Sequence, residues 1–352
     1  MRTVRQQIGS VLARILLIAA VCCAAGGCAM PRGEILSGGP DAPIWPAPPE
    51  QPRVAWLGEI GCVADLKAAK PGWQRAVDFV FGTKGKNPSL VLPQGLIVDA
   101  PSGEMLVADS AGKCVHRFGL DDRTYSRIDL SSLAEFPIGL TRDDTGQIYV
   151  TDSGTGSILV LDPAGEFVSR FISEKMLRPT GIAFSPANGL IYAADSSGHR
   201  ILAFNKAGEL QLEIGSKGTQ PGQFRFPVGV CTAGNRLFVC DVLNFRVQVL
   251  DLNGKPILAI GSEGDRPGQF SQPKAVAVDT IGNIWVVDAH FENVQVFNPD
   301  GVLLMALGEE GHGKGQFWLP SSISIDRLDR VFVSDPYNRR VQVFQLLSGV
   351  QQ

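Results

Sequence analysis

The sequence predicts an all-β, six-bladed β-propeller with four antiparallel strands per blade, and three observations predict it. Six segments beginning at Pro93, Pro137, Pro179, Pro227, Pro273 and Pro320 repeat one pattern at intervals of 44, 42, 48, 46 and 47 residues. A period in the forties with several short strands per unit marks propeller blades. The chain also carries 40 Gly and 23 Pro without collagen periodicity, the composition of many tight turns between short strands. Finally, the last repeat is one strand short, and a spare strand precedes the first.

The chain begins with basic Arg2, Arg5 and Arg14 and an apolar run from Ile15 to Ala25. This reads as a secretion signal over residues 1–27. The run is too short for a membrane span, which takes roughly 20 apolar residues. It ends in Ala25-Gly26-Gly27-Cys28, small residues before a cysteine, similar to the lipobox at which Cys28 becomes the acylated N-terminus. Ala25 stands where that motif usually has Leu. Ala29, not Asp, follows the cysteine, which by resemblance to lipoprotein sorting implies a bacterial outer membrane. Ordinary cleavage near Ala29, with release of a soluble protein, is the alternative. Residues 28–52 hold seven prolines and are expected to form a semi-rigid, polyproline-like tether.

Each repeat from 53 to 344 parses into strands. Pro starts an apolar inner strand, a Gly- or Asn-bearing turn follows, and the second strand (IYVTD, IWVVD, VFVSD) is β-branched and aromatic. A third strand alternates, as in Val341-Gln342-Val343-Phe344, and a fourth follows a turn, as in Val302 to Gly308. The segment Arg53 to Gly61 (RVAWLGEIG) matches the fifth repeat's outer strand LLMALGEEG and is expected to complete the last blade, closing the ring. Residues 62–92 interrupt the pattern. Pro71, Gly82 and the spacing of Trp73, Ala76, Val77 and Val80 predict one short inserted helix over 71–81. Residues 345–352 form a tail.

The repeats resemble the NHL repeat, whose pattern is PxGIAVDxxGxIYVADxxNxRIQVF. The resemblance spans residues 53–344, and it implies a six-bladed propeller. Some similar propellers are lyases with histidines or metal ligands around the central pore, and lactonase-type propellers hold a divalent cation at the channel mouth. Here the pore-facing positions Leu96, Ile182, Val230, Val276 and Ile323 are apolar.

The recurring Asp109, Asp152, Asp195, Asp241, Asp288 and Asp335 end each second strand, and Arg200, Arg246 and Arg340 follow three of them by five residues. One carboxylate per repeat argues for loop fixation, not catalysis. The repeated Gly-Gln-Phe is read as a turn with an aromatic wedge. The histidines, His116, His199, His290 and His312, are read as surface residues. Cys62, Cys114, Cys231 and Cys240 remain after processing in a compartment that permits disulfides. Three pairings are possible, a Cys231–Cys240 bridge is conceivable, and small buried thiols are the favoured reading. The sequence has no GxSxG, HExxH, GxxxxGK or CxxC motif, so no catalytic set, cofactor or metal site is assigned.

What remains is a surface. Gln94, Ile138, Thr180, Val228, Lys274 and Ser321 should ring the channel mouth, with Phe245, His290, Phe291, Tyr337 and Arg339 on adjoining loops. Aromatic residues and Arg are enriched at protein interfaces. Removing the three signal arginines leaves 29 basic residues against 35 acidic, a net of −6. That balance argues against nucleic acid as a partner. The expectation is an envelope lipoprotein that binds a protein or small ligand; the alternative is a metal-dependent lyase or hydrolase at the channel mouth.

Overall fold

The computed structural model describes residues 35–66, 87–99 and 103–347. Cys28, the signal segment and the expected helix at 71–81 lie outside the described residues. Near the insertion the described chain forms only a short 3-10 turn, Val63–Leu66.

Six antiparallel sheets follow one another around a ring. In the first five, four strands of one repeat pair in order, as in Pro227–Ala233, Arg236–Asp241, Arg246–Asp251 and Pro256–Ile260. The second strands are buried beyond their first residue, and Ile148–Asp152 and Ile284–Asp288 are buried throughout, because blades pack on both of their faces. The outer strands alternate toward solvent, as in Leu210–Ile214. The apolar core divides into six clusters of buried side chains, each between neighbouring blades, so no blade buries its faces alone.

The sixth blade closes the ring as expected. Val54–Ile60 pairs antiparallel with Arg340–Leu346, from Val54 opposite Leu346 to Ile60 opposite Val341, with a bulge between Trp56 and Gly58. The closing strand is held by side chains as well. The Trp56 indole donates to Gln342 Oε1 at 3.0 Å, and Glu59 pairs with Arg340 at 2.7 Å.

Two boundaries differ from expectation. The last strand runs to Leu346, into the anticipated tail, because Leu347 N–H still bonds to the Arg53 carbonyl at 2.8 Å. The expected tether is docked from Ile35 onward. Ile44–Trp45 adds a fifth strand outside Val54–Ile60, Ile35 and Leu36 pack on buried Phe332 and neighbours, and Trp45 stacks edge-on to Phe344 at 5.6 Å. Apolar side chains among the prolines are what override the extended spacer.

Candidate functional site

The innermost strands stand so close that backbone packs on backbone. A Cβ added at Gly139 or Gly229 would strike the carbonyl of Thr180 or Lys274 on the next blade, which is why the second residue after the inner-strand proline is glycine there. Ala275 and Ser322 take that position in the last two blades. Where the inner strands meet, hydroxyls satisfy their open edges. Ser321 Oγ donates to the Gln94 carbonyl (3.0 Å), Thr180 Oγ1 to that of Val228 (3.1 Å) and Thr232 Oγ1 to that of Phe184 (2.8 Å). Ser322 Oγ and Ser324 Oγ accept from the N–H groups of Leu96 and Val98 at 3.3 and 3.2 Å.

These strands enclose a central channel of about 310 Å3, lined by all of the predicted ring except Thr180: Gln94, Ile138, Val228, Lys274 and Ser321. Thr180 is buried at 6% exposure, its hydroxyl turned to the next strand instead. Farther in, the lining includes Leu96, Ile182, Val230, Val276 and Ile323, as the sequence suggests. Lys274 is the one charged side chain among the lining residues. It is half-buried, and burial, with the positive charge of Arg178, pushes its ammonium below the ordinary lysine value.

The loops around the mouth are fixed by the six strand-end aspartates, all buried. Asp288 accepts the N–H groups of Ser271 and Gln272 from the preceding loop (2.8 and 3.0 Å) and of His290 and Phe291 from the following one (3.0 and 3.1 Å). Arg200, Arg246 and Arg340 pair with Asp195, Asp241 and Asp335 at 3.3, 3.0 and 2.9 Å. The Gly-Gln-Phe loops are structural. Gln248 accepts from Gly222 N–H at 2.9 Å and donates to the Gln223 carbonyl at 2.7 Å, while Phe224, Phe270 and Phe317 are fully buried.

The first blade departs from this scheme. Cys114 stands where Arg stands in three blades, and His116 supplies the cation, its Nε2 3.4 Å from Asp109 Oδ2 and 3.3 Å from Cys114 Sγ. Its Nδ1 meets Tyr125 Oη at 3.0 Å. His116 is therefore a core residue, at 3% exposure, not a surface histidine. Burial opposes its charge, but the bonds to Asp109 and Cys114 prevail and raise it to about 9. His199 is also engaged, its Nδ1 accepting from Phe226 N–H at 3.1 Å, whereas His290 and His312 are exposed.

The four cysteines present in the described residues are free thiols. Desolvation pushes the half-buried Cys231 thiol up to about 12 and also raises that of Cys240, which is fully buried as a small hydrophobe. Among the described residues, no group of three or more His, Cys, Asp or Glu is placed to hold a metal ion.

Of the loop candidates, Tyr337, Arg339 and His290 are exposed, and Phe291 and Phe245 are half-buried. Phe245 and Arg339 adopt left-handed φ of 53° and 56°, the turn position that every such loop fills this way. The sequence reading missed Trp318, 41% exposed, which packs tilted against Tyr337 at 5.3 Å and edge-on to His312 at 5.2 Å. It also missed Phe136, Leu177 and Val91, exposed on the same face. Their signal is positional: each lies one or two residues before the proline that starts an inner strand.

Residues 135–161 and 176–204 match the model of the NHL repeat family. This chain is an NHL-repeat propeller. It is 30% identical over 122 residues to the probable peptidyl-alpha-hydroxyglycine alpha-amidating lyase pgal-1 of Caenorhabditis elegans, covering 31% of this chain and 35% of the relative. It is 28% identical over 120 residues to the human E3 ubiquitin-protein ligase NHLRC1, covering 31% and 29%. The NHL chain thus spans about a third of the length of the curated relatives it matches. A streptogramin B lyase structure superimposes with a TM-score of 0.55 at 14% identity, covering 73% of this chain and 94% of that one. That likeness shows the fold alone.

Proposed function

We propose that this NHL propeller is a lipid-anchored envelope protein that holds a protein or small-molecule partner on the loop face around its channel mouth. One observation carries the reading. Exposed Val91, Phe136, Leu177, Leu243, Trp318 and Tyr337 gather on the one face formed by loops leading into the inner strands and out of the second strands. Exposed apolar side chains rimmed by polar groups mark interaction surfaces on soluble folds. Each lies on a loop pinned by a buried aspartate, so the surface is preorganised and little ordering entropy opposes binding. Residues 1–28 support the anchor through their lipobox-like sequence, and Ala29 after the cysteine supports an outer-membrane address.

The test is capture of partners from detergent-solubilised membranes with the full-length chain. Replacing Trp318 and Tyr337 together by alanine should abolish recovery of the partners the wild type retains. Identical recoveries would remove this face from the function. Labelling with a radioactive fatty acid, lost in Cys28→Ser, tests the anchor.

A second reading, a metal-dependent lyase or hydrolase at the channel mouth, is favoured by the likeness to the amidating lyase. Stoichiometric Zn2+ or Ca2+ in the purified protein, with turnover lost on chelation, would establish it over the binding role.

A further inference from the structure

We infer that the channel mouth is a binding site for a small organic carboxylate, with its head on Lys274 and its apolar body between the inner strands. The inference rests on the binding reading of this face and deepens it by naming a ligand class.

Among the described residues, one charged group at the mouth is unanswered. The hydroxyls of Ser321, Thr180, Ser322 and Ser324 are all engaged by neighbouring strands. The Lys274 ammonium has no carboxylate, carbonyl or hydroxyl partner among the described residues, although it lines a cavity and is half-buried. A cation so placed without a counter-ion is costly. The charge that acts on it most is another cation, Arg178, which lies over the Phe226 ring at 5.7 Å and forms no ion pair with a described carboxylate. An unpaired Lys274 lining the mouth, with exposed Arg178 near enough to repel it, favours an incoming anion, which would take a charge-assisted hydrogen bond from Lys274.

The walls decide what kind of anion. Beyond Lys274 the lining alternates apolar side chains, among them Leu96, Leu140, Ile182 and Val276, with Thr141, Thr232 and Ser324. At about 310 Å3 the channel lies at the small end of ligand pockets. An inorganic anion gains nothing from the apolar part of these walls, whereas the short chain of a carboxylic acid buries surface against it. A single ammonium in the lining matches a monoanionic head.

Calorimetric titration of the full-length protein with hexanoate, hexanol and inorganic phosphate tests this. Hexanoate should bind the wild type about tenfold or more tighter than hexanol, and Lys274→Met should bring hexanoate down to the level of hexanol. The variant should melt no lower than the wild type when ligand is absent, since it removes an uncompensated charge. No hexanoate binding to the wild type, equal binding to Lys274→Met, or phosphate competing as well as hexanoate would each overturn the inference. These results are distinct from partner capture: capture sensitive to Trp318 and Tyr337 with no carboxylate binding leaves the face and removes only the ligand class.

Discussion

A buried carboxylate is costly unless every lone pair is answered, and each strand-end aspartate of this ring is answered by the loops it joins. Asp241 receives Arg225 N–H at 2.7 Å, the Asn244 side-chain amide at 2.8 Å and the Arg246 guanidinium at 3.0 Å. Asp241→Ala strands those donors and should cost about 3 kcal/mol, read as a lower denaturation midpoint at unchanged slope. The Asp109–His116 pair makes the first blade pH-sensitive. A histidine raised from 6.5 to about 9 in the fold contributes stability that is complete below pH 6.5 and is lost as pH rises through about 9. The contribution is on the order of 3 kcal/mol. Melting temperature should therefore fall between those limits, and His116→Gln should abolish the slope, since Gln248, Gln295 and Gln342 fill the matching position in other blades. A wild-type profile flat across that range would remove the ion pair.

At the scale of elements, the closing strand carries more than its length suggests. Val54 and Ile60 are fully buried, and Trp56, 8% exposed, is bonded to Gln342, whose amide also holds the last Gly-Gln-Phe loop through Gly315 N–H at 2.8 Å. Trp56→Ala loses packing area together with one of the two bonds to Gln342 Oε1, so a cost of about 3–5 kcal/mol is expected by denaturant titration. The strand's role is legible in the likeness of RVAWLGEIG to LLMALGEEG. The docking of Ile35, Leu36 and Trp45 is not, because a proline-rich stretch has no periodicity to announce that three apolar side chains will find a blade edge.

At the scale of the molecule, every apolar cluster is shared between two blades, so the ring is a chain of mutual dependencies with one non-covalent join. Deleting residues 53–61 should lower hydrogen-exchange protection around the whole ring, including the third blade opposite the join. Protection preserved in blades two to four would show that the blades are independent.

Blade number, strand order, ring closure and the structural nature of the aspartates could be read from the chain alone, because each is a local pattern repeated six times and repetition exposes any exception. The histidine that supplies the first blade's cation from the position other blades give to glutamine reads as a surface residue in the sequence, since only the cross-strand partners Asp109 and Tyr125 reveal why it is buried. The charge at the channel mouth belongs to the tertiary structure. Lys274 and Arg178 lie on different blades, and their mutual repulsion exists only because the closed ring brings separate repeats to one face.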